Sequence, residues 1–253
     1  MKPLLKELFF RIVNKGPLPK DRAAILMYHS IATTEHFFSV SLKDFEWQMN
    51  HLSEEHMPVI SLKDLVVRLT SKKELGGSIA VTFDDGYRNN FTDAFPILKR
   101  HNFPATIFVA TEKIGSSDAR GFARLTPEDM REMGASGLID IEPHTHTHPH
   151  LSRASHEVQR KEIVESKRIV EGIVQKKCTL FAYPYGDFSE ETVDIVTEEA
   201  FDAAVSVIEG TVHKGSNLYH LPRNSIDHST TFSQFCGKIS TAVDRYEAIK
   251  LWK

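Results

Sequence analysis

Two stretches of the chain hold side chains suited to chemistry: Val81-Thr82-Phe83-Asp84-Asp85-Gly86-Tyr87 and, further on, His144-Thr145-His146-Thr147-His148. In the first, an apolar run delivers two adjacent carboxylates and breaks at a glycine. Carboxylates fixed at the end of a buried strand must be neutralised by protons, hydrogen bonds or a cation. Asp-Gly alone is also ordinary turn chemistry, and a single histidine is usually no more than a hydrogen-bonded polar residue. His144 and His148, however, are spaced so that both imidazoles can face one point from a tight loop or a single turn, with His146 between them turned away. Two neutral imidazoles and one carboxylate, with coordination positions left open, make a site where a divalent metal activates water. Either Asp84 or Asp85 can complete that set, leaving the other to take a proton.

Such residues need strands that end at them. Ala23 to His29 is a short apolar run ending in polar residues, and Val59-Ile60, Ser78 to Phe83, Ala105 to Val109, Leu138 to Glu142, Thr179 to Ala182, Ala203 to Val207 and Leu221 to Ile226 read as further strands. Between them, apolar residues recur at helical spacing over 42–52, 62–69, 89–100, the segment opened by Thr126-Pro127, 155–174, 190–199 and 232–251. The segment 155–174 is the clearest helix, and the last places Phe235, Ile239, Val243 and Tyr246 inward. Strands alternating with helices argue for a parallel sheet, and eight candidate strands favour closure into a (β/α) barrel of seven or eight strands in a single domain. An open sheet fits the same alternation, but the chain has no Gly-x-Gly-x-x-Gly or Walker-type loop to cradle a nucleotide. His29, Asp84, Asp85, His144 and Tyr185 all fall just after a predicted strand, where such folds place their chemistry.

The composition narrows the partners. With 31 basic and 34 acidic residues the net charge is -3, and no basic block is interleaved with aromatics, so nucleic acid is not expected. Cys178 and Cys236 are too few for a disulfide framework and lack metal-ligand spacing, and both read as reduced structural thiols. Residues 1–22 form an extension ahead of a barrel domain over 23–253. In it Leu4, Leu5, Leu8, Phe9, Ile12 and Val13 recur at helical spacing, with Lys2, Lys6, Arg11 and Lys15 on the other face. This amphipathic segment is too short and too charged to span a bilayer and lacks a cleavage site. It is expected to dock on the body of the protein or to rest on an anionic membrane through residues 1–20. The corresponding expectation for location is cytoplasmic, with membrane association through that segment.

The chemical stretches resemble those of the metal-dependent polysaccharide deacetylases, carbohydrate esterase family four, which share the NodB-homology domain. The first motif resembles Thr82-Phe83-Asp84-Asp85-Gly86, the second His144-Thr145-His146-Thr147-His148-Pro149, and the third Phe181-Ala182-Tyr183-Pro184-Tyr185-Gly186. With Met27-Tyr28-His29 and the stretch from Phe45 to Leu65, the resemblance covers the chain from about Ala23 to Ile226. It implies a distorted (β/α) barrel, hydrolysis of N- or O-acetyl groups on a glycan, and one divalent ion, zinc first and cobalt, nickel, manganese or iron as alternatives. It also implies Asp84 as general base, Asp85, His144 and His148 as metal ligands, and the Tyr185 backbone N–H as a donor to the oxyanion.

Two departures from the family pattern matter. Where the third motif often carries an arginine that pairs with the base, this chain has Ala182, and Arg223 in Leu221-Pro222-Arg223 is the candidate replacement. A late Leu-x-His motif supplying a general acid is not evident, which leaves His29, His213, His220 and His228 as candidates, His220 lying closest to Arg223 in sequence. The competing readings are a glycan-binding barrel that has lost turnover and a metal-dependent amidohydrolase of a small molecule.

Overall fold

The computed structural model describes residues 3–13, 16–32 and 37–251. Its elements in chain order are α1 (Pro3–Ile12), β1 (Arg22–Tyr28), β2 (Ser30–Ile31), β3 (Ser39–Val40), α2 (Leu42–Glu54), α3 (Leu62–Thr70) and β4 (Ser78–Phe83). They continue as α4 (Phe95–His101), β5 (Ala105–Val109), α5 (Pro127–Ala135), β6 (Ile139–Pro143), α6 (His156–Val174) and β7 (Leu180–Ala182). The chain closes with α7 (Glu190–Glu198), β8 (Ala203–Val205), β9 (Val212–His213), β10 (Asn224–Ser225), α8 (Phe232–Lys238) and α9 (Ala242–Leu251).

The strands form the distorted ring expected of an α/β barrel. β10, β1, β4, β5 and β6 pair side by side in parallel, and β7 and β8 form a second parallel pair. β8 is tied towards β10 by hydrogen bonds from Leu221 N to Ala204 O (3.0 Å) and from Ser206 N to Leu221 O (2.9 Å). Between β6 and β7 a side chain takes the place of a ladder: Glu142 Oε2 accepts from the N–H of Thr179 (3.0 Å) and of Leu180 (3.1 Å). β9 runs antiparallel to β1 at its opening end, pairing His213 with Arg22.

Alternate residues of the strands feed two cores, as the period of a strand requires. Ile25, Ala80, Phe108, Leu180, Ala203 and Val205 pack with one another and with Leu62, Leu65 and Val66 of α3. Leu26, Tyr28, Val81, Phe83, Ile107 and Ile141 face outward onto Phe45 and Met49 of α2, Phe95 of α4, Ile163 of α6 and Ile195 of α7.

Several expected elements differ. Val59-Ile60 makes one bridge to Ile79 rather than a strand, because Ser61 already caps α3, accepting from Asp64 N at 3.0 Å. The strand expected over 221–226 shrinks to Asn224–Ser225, since Pro222 has no N–H to give a ladder. That expected over 203–207 stops at Val205. The helix over 89–100 opens with a π turn, Asn90–Ala94, in which Phe95 N–H reaches back to Asn90 O. Pro96 cannot donate within the regular register there. The closing helix is two helices: Ser240 Oγ accepts from Ala242 N and starts the second. Phe235, Ile239, Val243 and Tyr246 are buried as expected. Lys2 and Lys15, assigned to the polar face of the first helix, lie outside the described residues, as does the side chain of Leu4.

Candidate metal centre

The carboxyl ends of the strands bring together Asp85, His144 and His148, whose nearest ligand atoms lie within 4.8 Å of one another. Asp84 and Asp85 follow β4, and the Asp84 N–H continues the ladder to Tyr28 O (2.9 Å). Asp85 then turns with φ 71, which swings its carboxylate away from that of Asp84, and Gly86 follows at φ 61. A Cβ on Gly86 would meet both methyl carbons of Val109 at 3.2 Å, so the turn requires glycine.

His144 follows β6 and is fixed by its backbone bond to Val109 O (2.9 Å). Its Nδ1 lies 2.7 Å from Ala182 O and donates to it, which leaves the Nε2 lone pair free to bind a cation. His148 Nε2 lies 3.3 Å from Asp85 Oδ1, and the two imidazoles meet edge to face at 4.8 Å. Burial and the neighbouring His144 push His148 down to about 3, and burial likewise holds His144 below the ordinary imidazole value. Both rings are therefore neutral, as ligands must be. Burial works against ionisation of Asp85, but His148, His144, His29 and Arg124 outweigh it and lower its pKa. Among the described residues its Oδ1 has no hydrogen-bond partner. A buried ionised oxygen without a donor, facing two neutral imidazoles, fits a divalent cation.

Asp84 is paired differently. Arg223 Nη1 and Nη2 donate to its Oδ1 and Oδ2, both at 2.7 Å, in a bidentate fork. Arg223 precedes β10 rather than following it. Its fully buried side chain crosses the ring, giving Nε to Ser206 O (2.9 Å) and Nη1 to Thr82 Oγ1 (3.2 Å). Burial would raise the pKa of Asp84, but Arg223, His144 and His29 hold it well below the usual carboxylate range. His29 follows Tyr28, the register partner of Phe83, and so stands across the ladder from Asp84; its carbonyl is held by Asn90 Nδ2 (2.8 Å) from the π turn and its ring lies 4.9 Å from that of Phe38.

The other candidates lie elsewhere. His213 is paired with Arg22 at the opposite end of β1, a strand's length from the aspartates. His220 stacks at 4.5 Å on Phe188, and His228 Nδ1 sits 3.1 Å from Phe37 O. Of the four, His29 is the one that directly follows a strand paired with β4, beside Asp84. Tyr185, at φ 59, stands at the rim with its ring 4.6 Å from His148 and 4.1 Å from His150. His146 turns away, as expected, with Nδ1 2.8 Å from Thr111 Oγ1. A cavity of about 480 Å³ beside His51, Phe232 and Cys236 shares no residue with this cluster.

Three supporting residues carry no local motif. Glu162 of α6 accepts from His146 N, Thr147 N and Thr147 Oγ1 and so clamps the histidine loop. That loop needs the clamp: Thr145 and His148 both sit at positive φ, and Thr145 is β-branched. Arg124 lies on the face of Tyr87 at 3.7 Å and donates to Asp85 O (3.0 Å), bracing the turn. Glu142 holds β6 to β7 directly below His144, with Lys63 at 2.9 Å from its Oε1. Their partners lie 15 or more residues away in the chain, so neither periodicity nor spacing marks them.

Fold and site together are those of an α/β barrel hydrolase with a candidate metal-binding cluster at the carboxyl ends of its strands. The chain belongs to the family whose model is described as Polysaccharide deacetylase, which matches residues 71–230. YxkH of Bacillus subtilis (strain 168), which bears a provisional polysaccharide deacetylase name, is 32% identical over 212 residues, covering 83% of this chain and 74% of its own. The poly-beta-1,6-N-acetyl-D-glucosamine N-deacetylase of Staphylococcus aureus (strain MRSA252) is 27% identical over 194 residues, covering 74% of this chain and 67% of its own. Among solved structures, the Streptococcus pyogenes deacetylase PplD in complex with acetate superposes with a TM-score of 0.79 at 25% identity, covering 88% of this chain and all of that one.

Proposed function

We infer that the protein is a metal-dependent deacetylase that hydrolyses acetyl groups on a glycan, acting on the carbon–nitrogen bond of an N-acetyl sugar. The observation that carries this reading is the convergence of Asp85, His144 and His148 on one point beside an Asp84 braced by Arg223. The substrate class is supported by the staphylococcal relative, named for an N-acetylglucosamine polymer. The chemistry is supported by the acetate complex of PplD.

Asp85, His144 and His148 are the residues that would hold the ion. Two imidazoles and a carboxylate suit zinc, with iron, cobalt, nickel and manganese compatible with the same donors. Such an ion supplies Lewis acidity, polarising the acetyl carbonyl and lowering the pKa of water. Asp84, kept ionised and oriented by Arg223, accepts the proton of the attacking water as the oxygen–carbon bond forms. The backbone N–H of Tyr185 donates to the developing oxyanion, a contact of the kind worth about 3–4 kcal/mol. His29 faces the same aspartates and gives its proton to the amine nitrogen as the carbon–nitrogen bond breaks, in place of the earlier candidate His220. Arg223 pairs with Asp84 as the arginine absent at Ala182 would, which supports turnover over a barrel that only binds.

The test is acetate release from acetylated glycans, including N-acetylglucosamine oligomers, by the metal-loaded protein and by Asp84→Asn, which leaves the three ligands in place. Release by the former and a loss of about 100-fold or more in the latter is the expected pattern for removal of a general base. Equal rates in the two would remove Asp84 from the mechanism.

A further inference from the structure

The first helix meets the body of the protein with a face that its sequence pattern does not advertise. The fully buried residue of α1 is Phe10, whose ring lies 5.1 Å from Tyr246 and contacts Ala242, with Phe9 and Val13 at its sides. It sits directly over Gly237 of α8, where an added Cβ would fall 2.0 Å from the ring. Glu7, the acidic residue among the first twenty, turns inward to accept from Thr231 Oγ1 and from Gln234 Nε2. The opposite side carries Leu5, Leu8 and Ile12, which share one face of a helix and are 48%, 50% and 73% exposed. Ile249 of α9 is 45% exposed as well. A helix docked on a protein normally turns its polar side outward. Here leucine and isoleucine face out.

The charge around this stripe indicates what covers it. The first twenty residues contain five basic side chains, Lys2, Lys6, Arg11, Lys15 and Lys20, in a chain whose net charge is -3. Lys6 and Lys250 both approach the ring of Tyr246, at 6.0 Å each, Lys250 also pairing with Glu247 (3.2 Å) and Arg11 of α1 with Glu7 (2.9 Å), so cations lie on both helices that carry the exposed residues. Aligned apolar side chains bordered by cations match an anionic lipid surface, in which the apolar groups enter the acyl boundary and the cations meet headgroups. Among the described residues no helix is long and apolar enough to cross a membrane. We propose that Leu5, Leu8 and Ile12 of α1, with its basic residues, form a docking surface that holds this protein flat on an anionic membrane. The docking is independent of the metal and of the acetyl chemistry.

Co-sedimentation of the full chain with lipid vesicles tests it. One set of vesicles is phosphatidylcholine alone and the other contains about one third phosphatidylglycerol. The wild type is expected to bind the anionic vesicles at least tenfold more tightly than the neutral ones. The double variant Leu8→Glu/Ile12→Glu, changed only at exposed positions, is expected to lose at least tenfold of that binding while keeping its melting temperature and acetate-releasing activity. Failure of the wild type to sediment with anionic vesicles, or equal sedimentation of the two proteins, would overturn the proposal. So would a wild type that is a dimer in light scattering and a variant that is a monomer, since the stripe would then be a contact between copies of the chain.

Discussion

Arg223 ties stability to the proposed chemistry through one side chain. Its fork on Asp84 is fully buried, and both members have further partners, so removing one leaves the other as an uncompensated charge. Arg223→Ala is therefore expected to lower stability by about 3–5 kcal/mol, read from urea midpoints, and to lower activity at temperatures where it remains folded. A loss below 1 kcal/mol would mean that the pair is solvated. His29→Ala is expected to lower acetate release by about 100-fold or more, as removal of a general acid does, and His220→Ala to leave it close to wild type; equal losses in the two would contradict the assignment. At this scale much was legible: the Asp pair and the two histidines are local in sequence and announce themselves by spacing. Arg223 could be proposed because the place of the missing arginine was known, whereas Glu162, Arg124 and Glu142 could not, since each acts on residues distant in the chain. His220 lies closest to Arg223 in sequence, but its ring packs on Phe188 while Arg223 reaches Asp84.

At the scale of elements, the seam between β6 and β7 has a pH dependence that a backbone ladder would not have. Burial raises Glu142 to about 7, with Lys63 and the Leu180 N–H opposing the rise. A carboxyl whose folded pKa lies above its unfolded value binds its proton more tightly when folded. Its contribution to stability therefore falls as the pH climbs from 4.5 towards 7. At about 1.4 kcal/mol per pH unit, the wild type should lose up to about 3 kcal/mol relative to Glu142→Gln across that window. Thermal or urea melts of the two proteins at pH 4.5 and pH 8 measure it, and a difference that does not change with pH would contradict it. Glycine marks another joint. Gly237→Ala would drive a methyl into Phe10 and should cost about 1–3 kcal/mol, read as a lower melting temperature. The helix start at Thr126 was readable from its cap and the proline that follows. The π turn at Asn90–Ala94 and the break at Ser240 were not, because hydrophobic spacing runs through both.

At the scale of the whole molecule, the ring of strands brings residues from β1, β4, β6, β7 and the approach to β10 to one end, a convergence that no single stretch contains. The alternation of strands and helices was enough to anticipate a (β/α) barrel, and the family resemblance its distortion. It did not show how the ring is completed, since that depends on Glu142 between β6 and β7 and on the short bonds around Leu221. The amphipathic pattern of the first helix was likewise visible in the sequence, but which side docks was not: Phe10 decides it, and the more conspicuous leucines face outward. The account rests above all on Asp85, His144 and His148 holding one catalytic ion. Its most direct test is add-back of zinc to chelator-stripped protein while acetate release from an N-acetylglucosamine oligomer is followed. Activity rising from zero and levelling at one equivalent per chain, with Asp85→Ala flat throughout, is the predicted result. Full activity in the stripped protein, or an Asp85→Ala variant restored by the same single equivalent, would contradict it.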